Sequence, residues 1–191
     1  MLCLRSATQD QWLARAIANT REILMDHAHC ERKAATQALM LLGRFPDAEA
    51  LVGPMLALAR EELEHFEVVL ALLRSRNWPL DSLIPSGYQA QLHAHCRKQM
   101  PGKLVDLLLV AALIEARSCE RFKLLSEHHP DPELRAAFRD LLEAEARHHA
   151  TFVRLAHNWA DREVVRARLD ELAHAEVVIL EGMPPLARIH A

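Results

Sequence analysis

Apolar residues recur along most of the chain at intervals of three and four, the period of a helix buried on one side. Ile17, Leu24, Ala35, Ala38 and Leu42 share one such stripe, and Leu58, Phe66, Val69 and Leu73 a second. Leu104, Leu108, Ala111 and Phe122 form a third, and Leu141, Leu142, Phe152 and Leu155 a fourth. The punctuation between them predicts the elements. Thr8 serves as N-cap of a first helix from about 9 to 43, which ends near Gly43. After the turn in "RFPDAEALVGP", a second helix starts at Pro54 and runs to about Asn77. Pro79, Pro85 and Gly87 break the next stretch, and a short helix covers Tyr88 to Lys98. A third long helix spans about 103–128. Asp131 then caps a fourth, with Pro132 at its first position, reaching about Trp159. Asp161 opens a fifth that closes near Gly182. Two hairpins of long helices with a long crossover between them have the connectivity of an all-α, ferritin-like four-helix bundle, here with an additional C-terminal helix. Residues 1–191 are expected to form a single domain of this kind.

Composition agrees. Hydrophobic residues make up 51% with only 5 Gly, as an all-helical core requires. The net charge of −3 excludes a general basic coat for nucleic acid, though not a local basic patch. Cys3, Cys30, Cys96 and Cys119 form no C-x-x-C pair and fit reduced thiols. No apolar run has the length of a signal peptide or a membrane helix, so a cytoplasmic protein is expected.

The stripes carry residues that do not belong in a core. Glu31 lies on the first, Glu62 and His65 on the second, Glu115 on the third, and Glu145 and His148 on the fourth. Residues three apart stand about 5–6 Å apart on one helix face, so each Glu-x-x-His pair can reach one ion. An unpaired buried carboxylate is strongly disfavoured, whereas two divalent cations would let four of them coexist. One Glu from each of two helices plus Glu-x-x-His from each of the other two is the ligand set of di-iron and di-manganese carboxylate bundles. The depths also match. At 1.5 Å per residue, each of the four Glu stands roughly 22–24 Å from the turn of its own hairpin. A third Glu-x-x-His, Glu171 with His174, has no matching partner and reads as a solvated surface pair. His27, one turn before Glu31, is placed to support it. His149 points off the ligand stripe to the surface or rim, and Cys30 and Cys119 read as small core fillers.

Four segments carry a resemblance: "DHAHCERKAA" (26–35), "REELEHFEVV" (60–69), "LVDLLLVAALIEARSCERF" (104–122) and "LLEAEARHHATF" (141–152). They resemble the MiaE family of tRNA 2-methylthio-N6-isopentenyladenosine hydroxylases, within the ferritin-like superfamily. The resemblance covers nearly the whole chain, and "IEARSCERF" is its most specific phrase. It implies a non-haem di-iron monooxygenase acting on the isopentenyl chain of the modified adenosine beside the anticodon of tRNA. Dioxygen and an unidentified electron donor would be its other partners. It also implies two iron ions held by Glu31, Glu62, His65, Glu115, Glu145 and His148, with Glu62 and Glu145 as bridging, catalytic carboxylates. Arg32, Lys33, Arg97, Lys98, Arg117 and Lys123 are the candidate tRNA contacts, and a monomer is expected. Two alternatives stand beside this: an iron-oxidising or peroxide-handling ferritin-like protein, and a metal-free helical interaction module. The missing C-x-x-C site and the single tyrosine, Tyr88, argue against rubrerythrin-like and radical-generating versions.

Overall fold

The computed structural model describes residues 2–191, and among them the regular structure is entirely helical. The helices are α1 (Asp10–Ala18), α2 (Thr20–Arg44), α3 (Glu49–Ser75), α4 (Tyr88–Ala94), α5 (Gly102–His128), α6 (Pro132–Ala156) and α7 (Arg162–Gly182). They belong to two compact units. One holds residues 18–84 and 187–189; the other holds residues 1–17, 85–186 and 190–191.

In the first unit α2 and α3 pack as an antiparallel pair across a short turn. Ile23, Leu24, Ala28, Ala35 and Ala38 are buried on α2, and Leu51, Met55, Leu58, Val69 and Leu73 on α3. Asp26 ties a distant segment to this pair. Its Oδ2 accepts from the Ile189 backbone N–H at 2.7 Å, and Arg188 Nε stands 3.6 Å from its Oδ1.

In the second unit α5 pairs with α6, and α7 packs on α5 and α4. Phe122 and Phe138 stack across the α5–α6 contact with ring centroids 5.7 Å apart. Helix α5 is buried around most of its circumference, which explains why "LVDLLLVAALIEA" is apolar at every position but Asp106 and Glu115.

Several expected boundaries shift. The first helix is two: the chain bends at Asn19 (φ −124°, ψ 47°), between α1 and α2. Thr8 caps no helix there. Its N–H and hydroxyl instead donate to the two carboxylate oxygens of Glu120, at 2.9 and 2.7 Å. Helix α3 begins five residues before Pro54, which lies inside it and gives up the one backbone bond its ring nitrogen cannot donate. Helix α4 stops at Ala94 rather than Lys98, and α6 at Ala156 rather than Trp159. Asp131 does cap α6, its Oδ1 accepting from Glu133 N at 2.9 Å, with Pro132 in the first turn. Asp161 precedes α7 without a side-chain cap bond. Gly87 at φ 88° opens α4 in a conformation that a side chain would strain. No helix among the described residues is long and apolar enough to cross a membrane.

Candidate metal centre

Each helical pair brings one trio of donors together. On α2 and α3, Glu31, Glu62 and His65 each offer a ligand atom, and these lie within 4.8 Å of one another. Glu31 and Glu62 are 3% and 1% exposed. His65 Nδ1 stands 3.7 Å from Glu31 Oε2 and 3.6 Å from Glu62 Oε2. On α5 and α6, Glu115, Glu145 and His148 form the equivalent trio, again within 4.8 Å and all buried. His148 Nδ1 lies 3.3 Å from Glu145 Oε2.

The local cause is helical register. Glu62 and His65, like Glu145 and His148, are three apart and so point the same way. Short hairpin turns then set Glu31 opposite Glu62 and Glu115 opposite Glu145, at the equal depths their positions require.

The spacing suits a metal ion. Two donor atoms each about 2.1 Å from one ion lie roughly 3.0–3.5 Å apart at angles between square and tetrahedral. The carboxylate–imidazole separations fall close to that range. Carboxylate oxygens with imidazole nitrogens suit divalent first-row metals, and no thiolate competes. Burial would raise the Glu31 carboxyl, but the His27 imidazole beside it, together with the polar side chains around it, outweighs that and holds it well below the ordinary carboxylate range. Glu31 is therefore ionised across the neutral range and ready to ligate. His27 is 1% exposed and hydrogen-bonds Glu31 Oε1 through Nε2, in the supporting position its spacing suggested.

Other expected residues sort clearly. Glu171 and His174 are exposed, Glu171 pairing with Arg168 at 2.7 Å and His174 with the Asp170 carbonyl at 2.8 Å, so this Glu-x-x-His is a surface feature. Cys119 is buried with its Sγ 3.8 Å from the Leu142 carbonyl. Burial, reinforced by Glu145 and Glu115, pushes its thiol up to about 12 and keeps it protonated. His149 is not a plain surface residue: half-buried, it binds the Ala112 carbonyl through Nδ1 at 2.8 Å and staples α6 to α5.

Arg117 overturns its expected role as a tRNA contact. Its side chain is 0% exposed. Its Nε and Nη2 bind Glu176 Oε1 and Oε2 at 2.8 Å each, and its Nη1 pairs with Glu120. Tyr88 donates to the same Glu176 at 2.8 Å. Arg121, 3% exposed, lies 4.6 Å over the Trp12 ring. Burial, together with the neighbouring Arg117, lowers its pKa to about 9. The phrase "IEARSCERF" thus encodes a buried polar network as well as Glu115. Sequence reading missed that network because Glu176 lies far along the chain. The one available signal was two arginines, Arg117 and Arg121, one turn apart directly after the apolar run of α5.

Comparison with known proteins extends this. A Pseudomonas putida protein named tRNA 2-(methylsulfanyl)-N(6)-isopentenyladenosine(37) hydroxylase is 39% identical over 184 residues, covering 96% of this chain and 89% of its own. The Salmonella typhimurium protein of the same name is 28% identical, covering 98% of this chain and 87% of its own. Among solved structures, a Synechococcus protein described as having aldehyde deformylating oxygenase activity superposes with a TM-score of 0.96. It is 45% identical and the match covers 100% of this chain and 96% of that one, which places the fold in the ferritin-like class. Residues 1–191 match the family described as tRNA-(ms2io6A)-hydroxylase (MiaE), and the chain, an all-α protein with two carboxylate–histidine trios, belongs to that family of tRNA-modifying hydroxylases.

Proposed function

We propose that this chain hydroxylates the isopentenyl arm of 2-methylsulfanyl-N6-isopentenyladenosine at position 37 of tRNA, using dioxygen and an external electron donor. The two buried trios carry this reading, since one oxygen atom cannot be inserted into a C–H bond by side chains alone. Glu31, Glu62 and His65 from one helical pair, with Glu115, Glu145 and His148 from the other, would hold two iron ions. Four carboxylates against two divalent ions balance in charge, which lets groups this deeply buried stay ionised. Bound iron would supply the reduction of dioxygen and the oxidising power that C–H cleavage needs. Both units would then serve one catalytic domain, and the active species would be a monomer in the cytoplasm.

The chain's own contribution is to hold the donors and to keep them dry. Glu62 and Glu145, the carboxylates of the two Glu-x-x-His pairs, would be the bridging ligands. His27 fixes the Glu31 carboxylate through its hydrogen bond. Leu58, Val69, Leu108 and Phe152 are buried on the helices that carry these donors, and would help to keep water from them.

A second reading, removal of the formyl group from an aldehyde, is favoured by the 45% identity to the Synechococcus structure. The same donor set would serve either reaction. Metal analysis with product assay separates them. The chain loaded with ferrous iron should retain about two ions, as two trios of this kind imply. Glu62→Ala and Glu145→Ala variants should keep their helicity, lose iron and form no hydroxylated nucleoside. Full activity in either variant removes the proposed site. Release of formate from an aldehyde, with tRNA left unchanged, selects the second reading.

A further inference from the structure

Between Asp81 and Asp106 the chain runs 24 residues without an acidic side chain, although it holds 26 acids in all. This stretch includes the α4–α5 turn, "HAHCRKQMPGK", with Arg97, Lys98 and Lys103. Asp106 on α5 meets this turn, and it is 0% exposed. Two arginines close over it. The Arg97 backbone N–H donates to Asp106 Oδ2 at 2.8 Å, and Arg97 Nη2 to Oδ1 at 2.7 Å. Arg168 of α7 donates from Nε to Oδ1 at 3.1 Å and from Nη2 to Oδ2 at 3.0 Å. Arg168 Nη2 also binds the His95 carbonyl at 2.7 Å, which ties α7 to the turn.

Asp106 therefore acts as a buried peg that fixes two guanidinium groups at the surface. Arg97 remains 44% exposed by side chain, although it is anchored through several bonds. Gly102 makes the arrangement possible: a Cβ there would stand 2.8 Å from Arg97 Nε, so any larger residue would displace the guanidinium. Lys98 is exposed and Lys103 half-buried, and among the described residues neither has an ion-pair partner. Arg97 and Arg168 pair with Asp106 and Glu171, so the four cations exceed these two acids by two positive charges in a chain whose net charge is −3. His93 and His95 add two imidazoles to the same turn.

We infer that this turn is the surface that grips the RNA backbone. A pre-set, partly exposed arginine beside flexible lysines is what binding of successive phosphates calls for. Position supports it as well. Asp106 lies nine residues before Glu115 on one continuous helix, about 13 Å along its axis. That is comparable to the reach of a nucleotide from its phosphate to the end of an alkenyl arm on its exocyclic amine. The inference rests on the tRNA reading above and names the residues that would make the contact. Of the six candidates read from the sequence, it keeps Arg97 and Lys98, leaves out Arg32, Lys33, Lys123 and the buried Arg117, and adds Lys103 and Arg168.

The test compares two double charge reversals in the full chain, titrated with tRNA at several salt concentrations. Lys98→Glu/Lys103→Glu alters the turn. Arg139→Glu/Arg154→Glu makes the same change of net charge at exposed positions of α6. The turn variant should bind tRNA at least about tenfold more weakly, and its plot of log affinity against log salt should flatten by about two, one unit per lost phosphate contact. The neutral pair Lys98→Ala/Lys103→Ala should show an intermediate loss. The control should stay within a few-fold of the unaltered chain. Equal losses in turn variant and control, or no loss in the turn variant, would overturn the inference. Chain that binds tRNA through the turn yet oxidises no nucleoside keeps this surface and discards the hydroxylase reading instead.

Discussion

His27 shows how much a single residue adds to the proposed centre. It holds Glu31 by a hydrogen bond in a site where both groups are almost fully buried. Partners that orient a ligand typically change metal affinity by about 10–100-fold, so His27→Ala should weaken iron binding by that factor in a competitive chelator titration. Unaltered affinity would show that Glu31 needs no such support. Asp106 makes a second residue-scale prediction. Burial raises its pKa, but hydrogen bonds from Arg97 and Arg168 outweigh this and hold it below the ordinary aspartate value. A carboxyl whose folded pKa is depressed binds protons more readily when unfolded. Its stabilising contribution is therefore present above about pH 4 and lost as pH falls through the folded value. Asp106→Asn should lower the urea midpoint near neutrality and flatten its decline in acid. A variant with the same acid decline as the parent would assign that decline to other carboxylates.

At the scale of elements, the contact of α7 with α5 is held by the Arg117–Glu176 pair in addition to apolar packing. Both side chains are 0% exposed, so removing one leaves the other charged and buried. Arg117→Met should cost about 3–5 kcal/mol in urea unfolding. The double variant Arg117→Met/Glu176→Leu should recover much of that loss, because neither charge is then stranded. Equal destabilisation in both would mean the pair contributes net attraction beyond its burial. This network was the least legible part of the sequence. Periodicity marks which residues face inward, and so it exposed Glu31, Glu62, Glu115 and Glu145. It cannot say that Arg117 meets Glu176, 59 positions away, or that Thr8 serves Glu120 rather than a helix end. The helix boundaries failed for local reasons. The bend at Asn19 falls within a continuous apolar stripe, and Pro54 is tolerated inside α3 where a start was expected.

At the scale of the molecule, the two long pairs were readable because their turns and the crossover between them carry proline, glycine or a capping aspartate. The six donors were readable because a polar residue in an apolar stripe contradicts its surroundings. The substrate was legible only through family resemblance, since side chains that would meet an isopentenyl arm look no different in a sequence from ordinary core residues. The central claim is that this chain inserts an oxygen atom from dioxygen into the modified nucleoside of tRNA. Its most direct test is mass spectrometry of nucleosides from tRNA incubated with iron-loaded protein, a reductant and isotopically labelled dioxygen. The account predicts one labelled oxygen on the isopentenyl-bearing adenosine, absent without iron. An unmodified nucleoside despite bound iron and consumed dioxygen, or a product whose oxygen comes from water, would contradict it.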